Sequence, residues 1–473
     1  MNAESNGTRL TSRFENRKLS FVCLLSGLLL MAFSVSGCRL DDALQVTVSS
    51  APPANSAAGD SYPAAEPTTP SPTPTQIDAA ETVQEDTSEQ PLTTELTPTT
   101  RILIPLAMVD NSTPVPTSVP DYPIYSGPAL DKSDIGIQIH IHREDQAFLL
   151  SHLSALDVGW VKVQVSWKIY EPHQGQYDDY RLNELDQLVA RANEAGIKVL
   201  LSVAKAPEWS RTTTEMDGPP IDYLTYTSFM TFLASRFEGK VHTYELWNEA
   251  NLQREWNGAQ LSPADTVALI SAGAEGVRGT DTGATLISGA PAPTGINDGI
   301  TAIDDRLFFH GMVTAGLASV VDAIGVHPYG WANPPDSSSA MPDPSIPSHN
   351  NHPSFFFADT INDYRSILDQ NGHPTIPLWA TEFGWGSYEG LGVNPPPGVE
   401  YMAYVNEWQQ AQYTLRAYEM ANDWPNVGPM ILWNLNFAPT FGSGFVESAY
   451  SLLRPDGSSR PIYHSITSIT KTP

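Results

Sequence analysis

Apolar residues follow two different spacings along the chain, and the two spacings alternate from about residue 135 onward. Short runs with every second position apolar predict β-strands, whereas apolar positions three and four apart predict amphipathic helices. Eight strand-like runs occur, and helical patterns separate them. The predicted strands cover residues 135–141, 160–165, 198–203, 242–247, 285–288, 322–326, 376–381 and 428–433.

Two of the predicted helices carry boundary signals. Gly196 follows the helical stripe over 182–192, where a glycine can adopt the left-handed conformation that ends a helix. Ser262 and Pro263 are suited to the N-cap and the first position of a later helix. Further helical patterns lie at 148–156, 226–237, around 308–312, at 355–368 and at 404–420.

The alternation of strands and helices defines the fold class. Eight strand–helix pairs within residues 127–473 predict an α/β protein with a (β/α)8 barrel, an architecture that needs roughly 250 residues. The alternative is an open doubly wound sheet, which would call for a glycine-rich turn after an early strand. The sequence has no such turn, so we expect 127–473 to be one barrel domain.

The first 37 residues have the pattern of an export signal. Basic residues at 13, 17 and 18 precede an apolar run over 19–35, and the run ends at Val35-Ser36-Gly37-Cys38, which resembles a bacterial lipobox. We therefore expect Cys38 to be acylated and to anchor the protein to a membrane, with the remaining chain outside the cell. A cleaved signal peptide without lipid and an uncleaved membrane anchor are the alternatives.

Composition separates the next segment from the barrel. Residues 38–126 are rich in Pro, Thr and Ser and cannot bury a core, so they predict a disordered, extended linker. The formal charge of −28 argues against nucleic acid as a partner. The two cysteines, Cys23 and Cys38, both lie in the first forty residues, so no disulfide is expected in the barrel.

Glutamates follow two of the predicted strands. Glu249 lies in the segment 244–251, after the fourth strand, and Glu382 lies in the segment 379–385, at the seventh. In a parallel barrel the carboxyl ends of the strands surround one site. Two carboxyl groups there can divide the acid and nucleophile work on a glycosidic bond. Other candidate site residues at strand ends are Trp167, Trp209, Asn248, His327, Tyr329, Trp433 and Asn434.

These motifs resemble those of glycoside hydrolase families 5 and 39, the cellulase-like and β-xylosidase-like barrels. The resemblance covers about residues 135–463. It is carried by the Trp-x-x-x-Glu-Pro-x-x-Gly-x-Tyr pattern of 167–177, by Trp247-Asn248-Glu249, by His327-Pro328-Tyr329 and by Thr381-Glu382-Phe383-Gly384-Trp385.

The resemblance implies a role for each glutamate. Glu249 would be the general acid/base and Glu382 the nucleophile of a retaining double displacement. Their carboxyl groups would then lie about 5–5.5 Å apart. Because the Glu382 anion is near, we expect the pKa of Glu249 to be raised.

The resemblance also implies substrate contacts. Asn248 would hydrogen-bond the 2-hydroxyl of the sugar, Tyr329 would steady the nucleophile, His327 would line the sugar subsite and Trp433 would form an aromatic floor under the ring. Trp167, Trp209 and Asn434 are further candidates for substrate contact.

One residue departs from the cellulase pattern. Relatives of that kind usually carry arginine on the second strand, where this chain has Lys162. Glu245 lies four residues before Glu249, on the same side of an ideal strand. If it is buried there, it needs a cationic partner such as Lys162 or Lys205.

His140 and His142 lack metal-site spacing, so we expect neither a metal nor another cofactor.

Together these features predict an anchored extracellular retaining glycosidase that acts on poly- or oligosaccharides, with β-linkages expected. A transglycosylase would use the same covalent intermediate. A non-catalytic carbohydrate-binding barrel is an alternative, although both glutamates are present. A solute-binding lipoprotein is a further alternative, but it would have two lobes, whereas this chain shows eight consecutive units. The sequence leaves the sugar and the linkage open.

Overall fold

A computed structural model describes residues 120–473 of the chain. In this part, eight parallel strands close into a barrel in which each strand pairs with its neighbours in sequence, and the last strand pairs with the first. This confirms the predicted (β/α)8 barrel. The barrel strands are β1 Ile135–Gln138, β2 Trp160–Ser166, β3 Lys198–Ala204, β4 Thr243–Leu246, β5 Thr285–Ser288, β6 Ala323–Val326, β7 Leu378–Phe383 and β8 Val427–Leu432.

Strand boundaries differ from the predicted ones where side chains or proline replace strand pairing. β1 ends three residues early, and just beyond it the His140 backbone N donates to the side chain of Asn436 at 2.9 Å. β7 starts two residues later than predicted, after Pro377, which has no N–H to donate. β7 also ends two residues later than predicted, at Phe383, so Glu382 lies inside the strand, next to its last residue.

Helices follow the strands around the outside of the barrel. Ser262 is the N-cap of α5, where its side chain accepts from the Asp265 backbone N. Gly196 has φ +71° just beyond α3, so both predicted boundary signals are confirmed. The helices are α1 Gln146–Leu156, α2 Trp167–Tyr170, α3 Asp179–Glu194, α4 Tyr223–Arg236, α5 Pro263–Arg278, α6 Asp305–Thr314, α7 Phe357–Gln370, α8 Glu407–Asp423, α9 Phe437–Phe441 and α10 Pro461–Thr467.

The barrel interior changes from apolar to charged along its axis. Near the amino ends of the strands, a separate buried cluster forms an apolar layer, and its two indoles, Trp160 and Trp379, meet edge to face at 5.1 Å. Two residues further along β2 lies the fully buried Lys162, whose ammonium group contacts Glu245 and Glu382. The apolar layer therefore closes one end of the barrel beneath a set of buried charges.

The chain before the barrel contacts the barrel's last helix. Pro123 is buried and its carbonyl accepts from Ser465 Oγ, while the Tyr125 backbone N donates to Ser468 Oγ. Pro123 and Tyr125, assigned to the linker from the sequence, therefore already contact the folded domain. The predicted signal, Cys38 and the linker up to residue 119 lie outside the described residues. Within 120–473, no helix is long and apolar enough to cross a bilayer.

Candidate active site

The loop after β4 holds Glu249 in an unusual backbone conformation. Trp247 and Glu249 have φ of +74° and +43°, which non-glycine residues rarely adopt. A Cβ on Gly289 would lie 2.6 Å from the Trp247 carbonyl carbon, so only glycine allows this approach. The Glu249 backbone N also donates to the Ala290 carbonyl at 2.9 Å. The end of β5 therefore fixes the position of the Glu249 backbone.

Glu382 is held by one cation and one phenol. Lys162 Nζ lies 3.1 Å from Glu382 Oε1, and the Tyr329 hydroxyl donates to Glu382 Oε2 at 3.0 Å. All three side chains are buried. The predicted contact of Tyr329 with the nucleophile candidate is present, and Lys162 supplies the cationic contact that the sequence left uncertain.

Lys162 also forms the ion pair that Glu245 requires. Its Nζ lies 2.9 Å from Glu245 Oε2, and both side chains are fully buried, which confirms one of the two expected partners. Burial lowers the pKa of Lys162, but the charges of Glu245 and Glu382 outweigh burial and raise it. Burial likewise raises the pKa of Glu245, and Lys162 outweighs this and lowers it. Lys162 therefore stays charged between two carboxylates.

His327 lies between the two glutamates of the site. Its Nδ1 is 3.1 Å from Glu249 Oε1 and 3.9 Å from Glu382 Oε2. Burial lowers the pKa of His327, but the charges of Glu382 and Glu249 outweigh burial and raise it. The imidazole has no exposed surface, and its Nε2 has no hydrogen-bond partner among residues 120–473, so its contact with a sugar stays a prediction. It joins the two carboxylates from within the barrel.

The two carboxyl groups are close together. One side-chain atom each from Glu249, His327 and Glu382 lies within 4.8 Å of the others. Retaining glycosidases have carboxyl groups about 5–5.5 Å apart, and inverting enzymes about 6.5–9.5 Å apart. The nearest oxygens of the two carboxyl groups are therefore closer than the inverting separation and compatible with the retaining arrangement. Within residues 120–473 this is also the group whose atoms could meet on a metal ion, but side chains already supply cations to both carboxylates.

Arg254 contacts Glu249, and sequence reasoning missed this contact. Its Nη2 donates to Glu249 Oε2 at 2.7 Å. Burial raises the pKa of Glu249, but the hydrogen bond from His327 and the charge of Arg254 outweigh burial and lower it to about 2. The expectation of a raised pKa is therefore wrong for this arrangement, because it counted only the Glu382 anion. An arginine five residues further along an irregular loop gives no periodic signal.

Further carboxyl groups lie in the same charged region. Burial raises the pKa of Glu255 to about 7 despite the nearby charge of Lys205. Burial also raises the pKa of Glu447 to about 6, and the charge of Arg254 opposes this shift. Arg254 therefore interacts with three carboxyl groups, of which Glu249 is the one it contacts most closely.

Three predicted substrate-contact residues remain available to a ligand. Asn248 is buried beside Glu249, and its Oδ1 has no hydrogen-bond partner among residues 120–473. Trp433 is half-buried, with its ring 5.1 Å from that of Phe437. Trp209 is half-buried, and its Nε1 donates to the Glu171 carbonyl at 3.0 Å.

Trp167 and Asn434 are core residues instead. Trp167 is fully buried, stacks on Phe229 at 5.2 Å and donates from Nε1 to Glu171 Oε2 at 2.7 Å. Asn434 is fully buried, and its Oδ1 accepts from Ser451 Oγ at 2.6 Å. Neither side chain has a surface to offer a sugar, so their prediction as substrate contacts is wrong.

A cavity of about 250 Å³ adjoins Glu249. Glu249 and Tyr329 form part of its wall, and the rest comes from the loops that follow several barrel strands. The carboxyl ends of the strands therefore carry both the charged groups and a space beside them, which is the expected place for an active site in this fold.

Comparison with solved structures supports the fold. A family 39 glycoside hydrolase from Bacteroides cellulosilyticus WH2 matches 72% of this chain at 19% identity, with a TM-score of 0.54. A glucosidase from Croceicoccus marinus matches 72% of this chain at 14% identity, with a TM-score of 0.51. This chain covers 65% and 67% of those two proteins, respectively. At these identities the likeness concerns the fold alone.

Comparison with protein families gives a more specific result. No curated protein sequence matches this chain. The family model named Cellulase (glycosyl hydrolase family 5) matches residues 135–423, more than half of the chain. The match runs from the start of β1 to the end of α8 and includes both glutamates of the site.

Proposed function

The chain belongs to glycosyl hydrolase family 5, the cellulase family, and is therefore a retaining O-glycosyl hydrolase; we propose that Glu249 and Glu382 carry out its double displacement. Glu382 is the nucleophile and Glu249 the general acid/base. The single observation that carries this assignment is how Glu382 is held: Lys162 and Tyr329 contact its two oxygens, and Glu249 lies close by. A carboxylate fixed between a cation and a phenol keeps one orientation, as a nucleophile requires.

The mechanism needs Glu249 in two protonation states. In the first step, Glu382 attacks the anomeric carbon while Glu249 donates its proton to the departing oxygen. In the second step, ionised Glu249 takes a proton from water, and the water oxygen displaces Glu382. The contacts of Glu249 with Arg254 and His327 favour the ionised form. Arg254 therefore has to loosen its hold on Glu249 before the first step.

We propose neutral β-linked poly- or oligosaccharides as substrates. Asn248, which has an unpaired buried Oδ1, would bind the 2-hydroxyl of the sugar that Glu382 attacks. Trp433 would stack under this ring, because the apolar face of a sugar packs well on an aromatic surface. Trp209, half-buried after β3, would contact the ring or its neighbour.

We also propose that the protein is exported and anchored to the cell membrane or envelope through acylated Cys38. The lipobox-like Val35–Cys38 segment and the Pro/Thr/Ser-rich linker support this proposal. Mass spectrometry of the mature N-terminus should find lipid on Cys38, and the Cys38→Ser variant should be unlipidated. A mature wild-type N-terminus without lipid would remove the basis for the anchor.

The roles of the two glutamates can be tested with a panel of 2,4-dinitrophenyl β-glycosides. Glu382→Ala should lose turnover on every substrate, because no covalent intermediate can form. Glu249→Ala should still form the intermediate, since this leaving group needs no proton, and added azide should restore turnover and give a β-glycosyl azide. Glu208→Ala, which changes an exposed glutamate after β3, should behave like the wild type.

The same panel separates the competing assignments. Azide rescue of Glu382→Ala rather than Glu249→Ala would reverse the two roles. If wild-type protein binds oligosaccharides but turns over no member of the panel, the double-displacement proposal fails and the non-catalytic alternative replaces it. Proton NMR of the first product should show retained configuration. Products longer than the substrate would indicate transglycosylation.

A further inference from the structure

The cavity beside Glu249 lies on the leaving-group side of the proposed reaction. The acid donates its proton to the departing oxygen, so the departing group lies next to Glu249, while the attacked sugar lies over Glu382. Glu249 belongs to the cavity wall, and Glu382 does not. The cavity of about 250 Å³ is therefore placed to hold the leaving group rather than the attacked sugar.

Apolar side chains from several loops form most of this wall. Leu252 comes from the loop after β4, Ile296 and Ile300 from the loop after β5, and Trp331 from the loop after β6. Ile300 is 75% exposed, so a large aliphatic side chain is held toward solvent at the edge of the cavity. Large exposed apolar groups beside a cavity often mark a place where an apolar ligand binds.

The aromatic part of the wall is fixed by its own packing. The ring of Trp331 stacks on His349 at 4.6 Å, and its centroid lies 4.8 Å from that of Tyr401. The Tyr401 hydroxyl in turn lies 3.5 Å from that of Tyr450. These rings present a preformed surface, so an apolar ligand would bind without a large cost for ordering them.

Two polar side chains of the wall are engaged within the protein. The Gln253 amide donates to the Trp256 carbonyl, and Thr294 Oγ1 accepts from the Ile296 backbone N.

The charged and phenolic groups nearer the carboxylates are engaged as well, since Arg254 bonds Glu249 and Tyr329 bonds Glu382. A sugar ring in the cavity would bury several hydroxyl groups, and unpaired buried hydroxyls are costly. The wall has few groups left to pair with them.

Two polar atoms of the wall stand apart. Trp331 Nε1 and Arg254 Nε are buried and have no hydrogen-bond partner among residues 120–473. Two donors in a largely apolar wall suit a ligand with few acceptors on an apolar body. They do not suit a ring that carries hydroxyl groups on most of its carbons.

We propose that this cavity binds the leaving group of the substrate and that this group is apolar, an alkyl or aryl alcohol rather than a second sugar. The natural substrate would then be a sugar or oligosaccharide β-linked to an apolar alcohol, which the enzyme hydrolyses to the free alcohol and the sugar. This inference rests on the proposed function: it keeps the β-linked sugar that Glu382 attacks and replaces the sugar leaving group of a polysaccharide by an apolar one.

The experiment compares leaving groups on one sugar. The dinitrophenyl panel first identifies the preferred sugar, and kcat/KM is then measured for its methyl and octyl β-glycosides and for a disaccharide with the same non-reducing sugar. Methanol and octanol are similar leaving groups, so their difference reports binding. Each buried methylene contributes about fourfold. If three of them enter the cavity, kcat/KM for the octyl glycoside should exceed that for the methyl glycoside by roughly sixtyfold. The kcat/KM for the disaccharide should be close to that for the methyl glycoside.

A variant pair connects this preference to the cavity. Ile300→Asp places a charge at the edge of the cavity. It should lower kcat/KM for the octyl glycoside at least about tenfold and leave kcat/KM for the methyl glycoside unchanged. Ile221→Asp changes a comparably exposed isoleucine, 68% accessible and outside the wall, and should alter neither value.

Different failures are distinguishable. No turnover of any dinitrophenyl glycoside would overturn the proposed function and this inference with it. Turnover with equal octyl and methyl values, or with the disaccharide preferred, would overturn the inference alone. Equal losses on both substrates in Ile300→Asp would also overturn it, because that pattern indicates general damage rather than a lost binding surface.

Discussion

Replacing Arg254 by glutamine should change the pH dependence of the enzyme. Arg254 Nη2 lies 2.7 Å from Glu249 Oε2, and its charge helps to hold the pKa of that carboxyl at about 2. An opposite charge at such a distance lowers a carboxyl pKa by about 1–3. The substitution should therefore raise the pKa of Glu249 by that amount. Because Glu249 acts first as an acid, kcat/KM declines as the pH rises above the pKa of Glu249. In Arg254→Gln, the alkaline limb of the pH profile of kcat/KM should therefore move to higher pH.

The size of the effect follows from the fraction of enzyme that carries the proton. At pH 6 a carboxyl with a pKa of about 2 is protonated in roughly one molecule in ten thousand, and raising its pKa by about 1–3 increases that fraction about 10- to 1000-fold. The pH profile of kcat/KM reports the free enzyme, to which this geometry applies. The assay uses an alkyl glycoside, whose leaving group needs the proton.

Two controls make the interpretation of Arg254→Gln specific. Arg254→Lys keeps the charge and should leave the alkaline limb near its wild-type position. A dinitrophenyl glycoside needs no proton, so its profile should not move in either variant. An unchanged limb in Arg254→Gln, or an equal shift in Arg254→Lys, would refute the reasoning that the charge of Arg254 sets the protonation of Glu249.

Three further predictions concern buried contacts. Lys162→Met leaves Glu245 and Glu382 without their shared cation. Urea unfolding should therefore show a free energy of unfolding lowered by about 3–5 kcal/mol, and activity should fall sharply. Tyr329→Phe removes one hydrogen bond to a charged group and should lower kcat about tenfold or more with little change in thermal stability. Trp167→Ala should cost about 3–5 kcal/mol in unfolding while the KM of the remaining folded enzyme stays unchanged, and a raised KM would contradict its assignment to the core.

Much of the architecture could be predicted from the sequence because its signals are local. Strand and helix periods depend on residues a few positions apart, and all eight strands were found, with β5 matching its predicted bounds. The positions of Glu249 and Glu382 at the ends of two strands follow from the same alternation. The side-chain period of two also predicted that Glu245 lies on the same side of its strand as Glu249, and its partner Lys162 was one of the two cations expected if Glu245 is buried.

The tertiary structure decided which side chains face the cleft and what surrounds them. Trp167 and Asn434 follow barrel strands, as Asn248 and Trp433 do, yet packing from distant parts of the chain buries them completely. The contact between Arg254 and Glu249 depends on an irregular loop, whose path no periodicity determines. The cavity is formed by loops that follow different strands, so it exists only when the closed barrel brings their ends together.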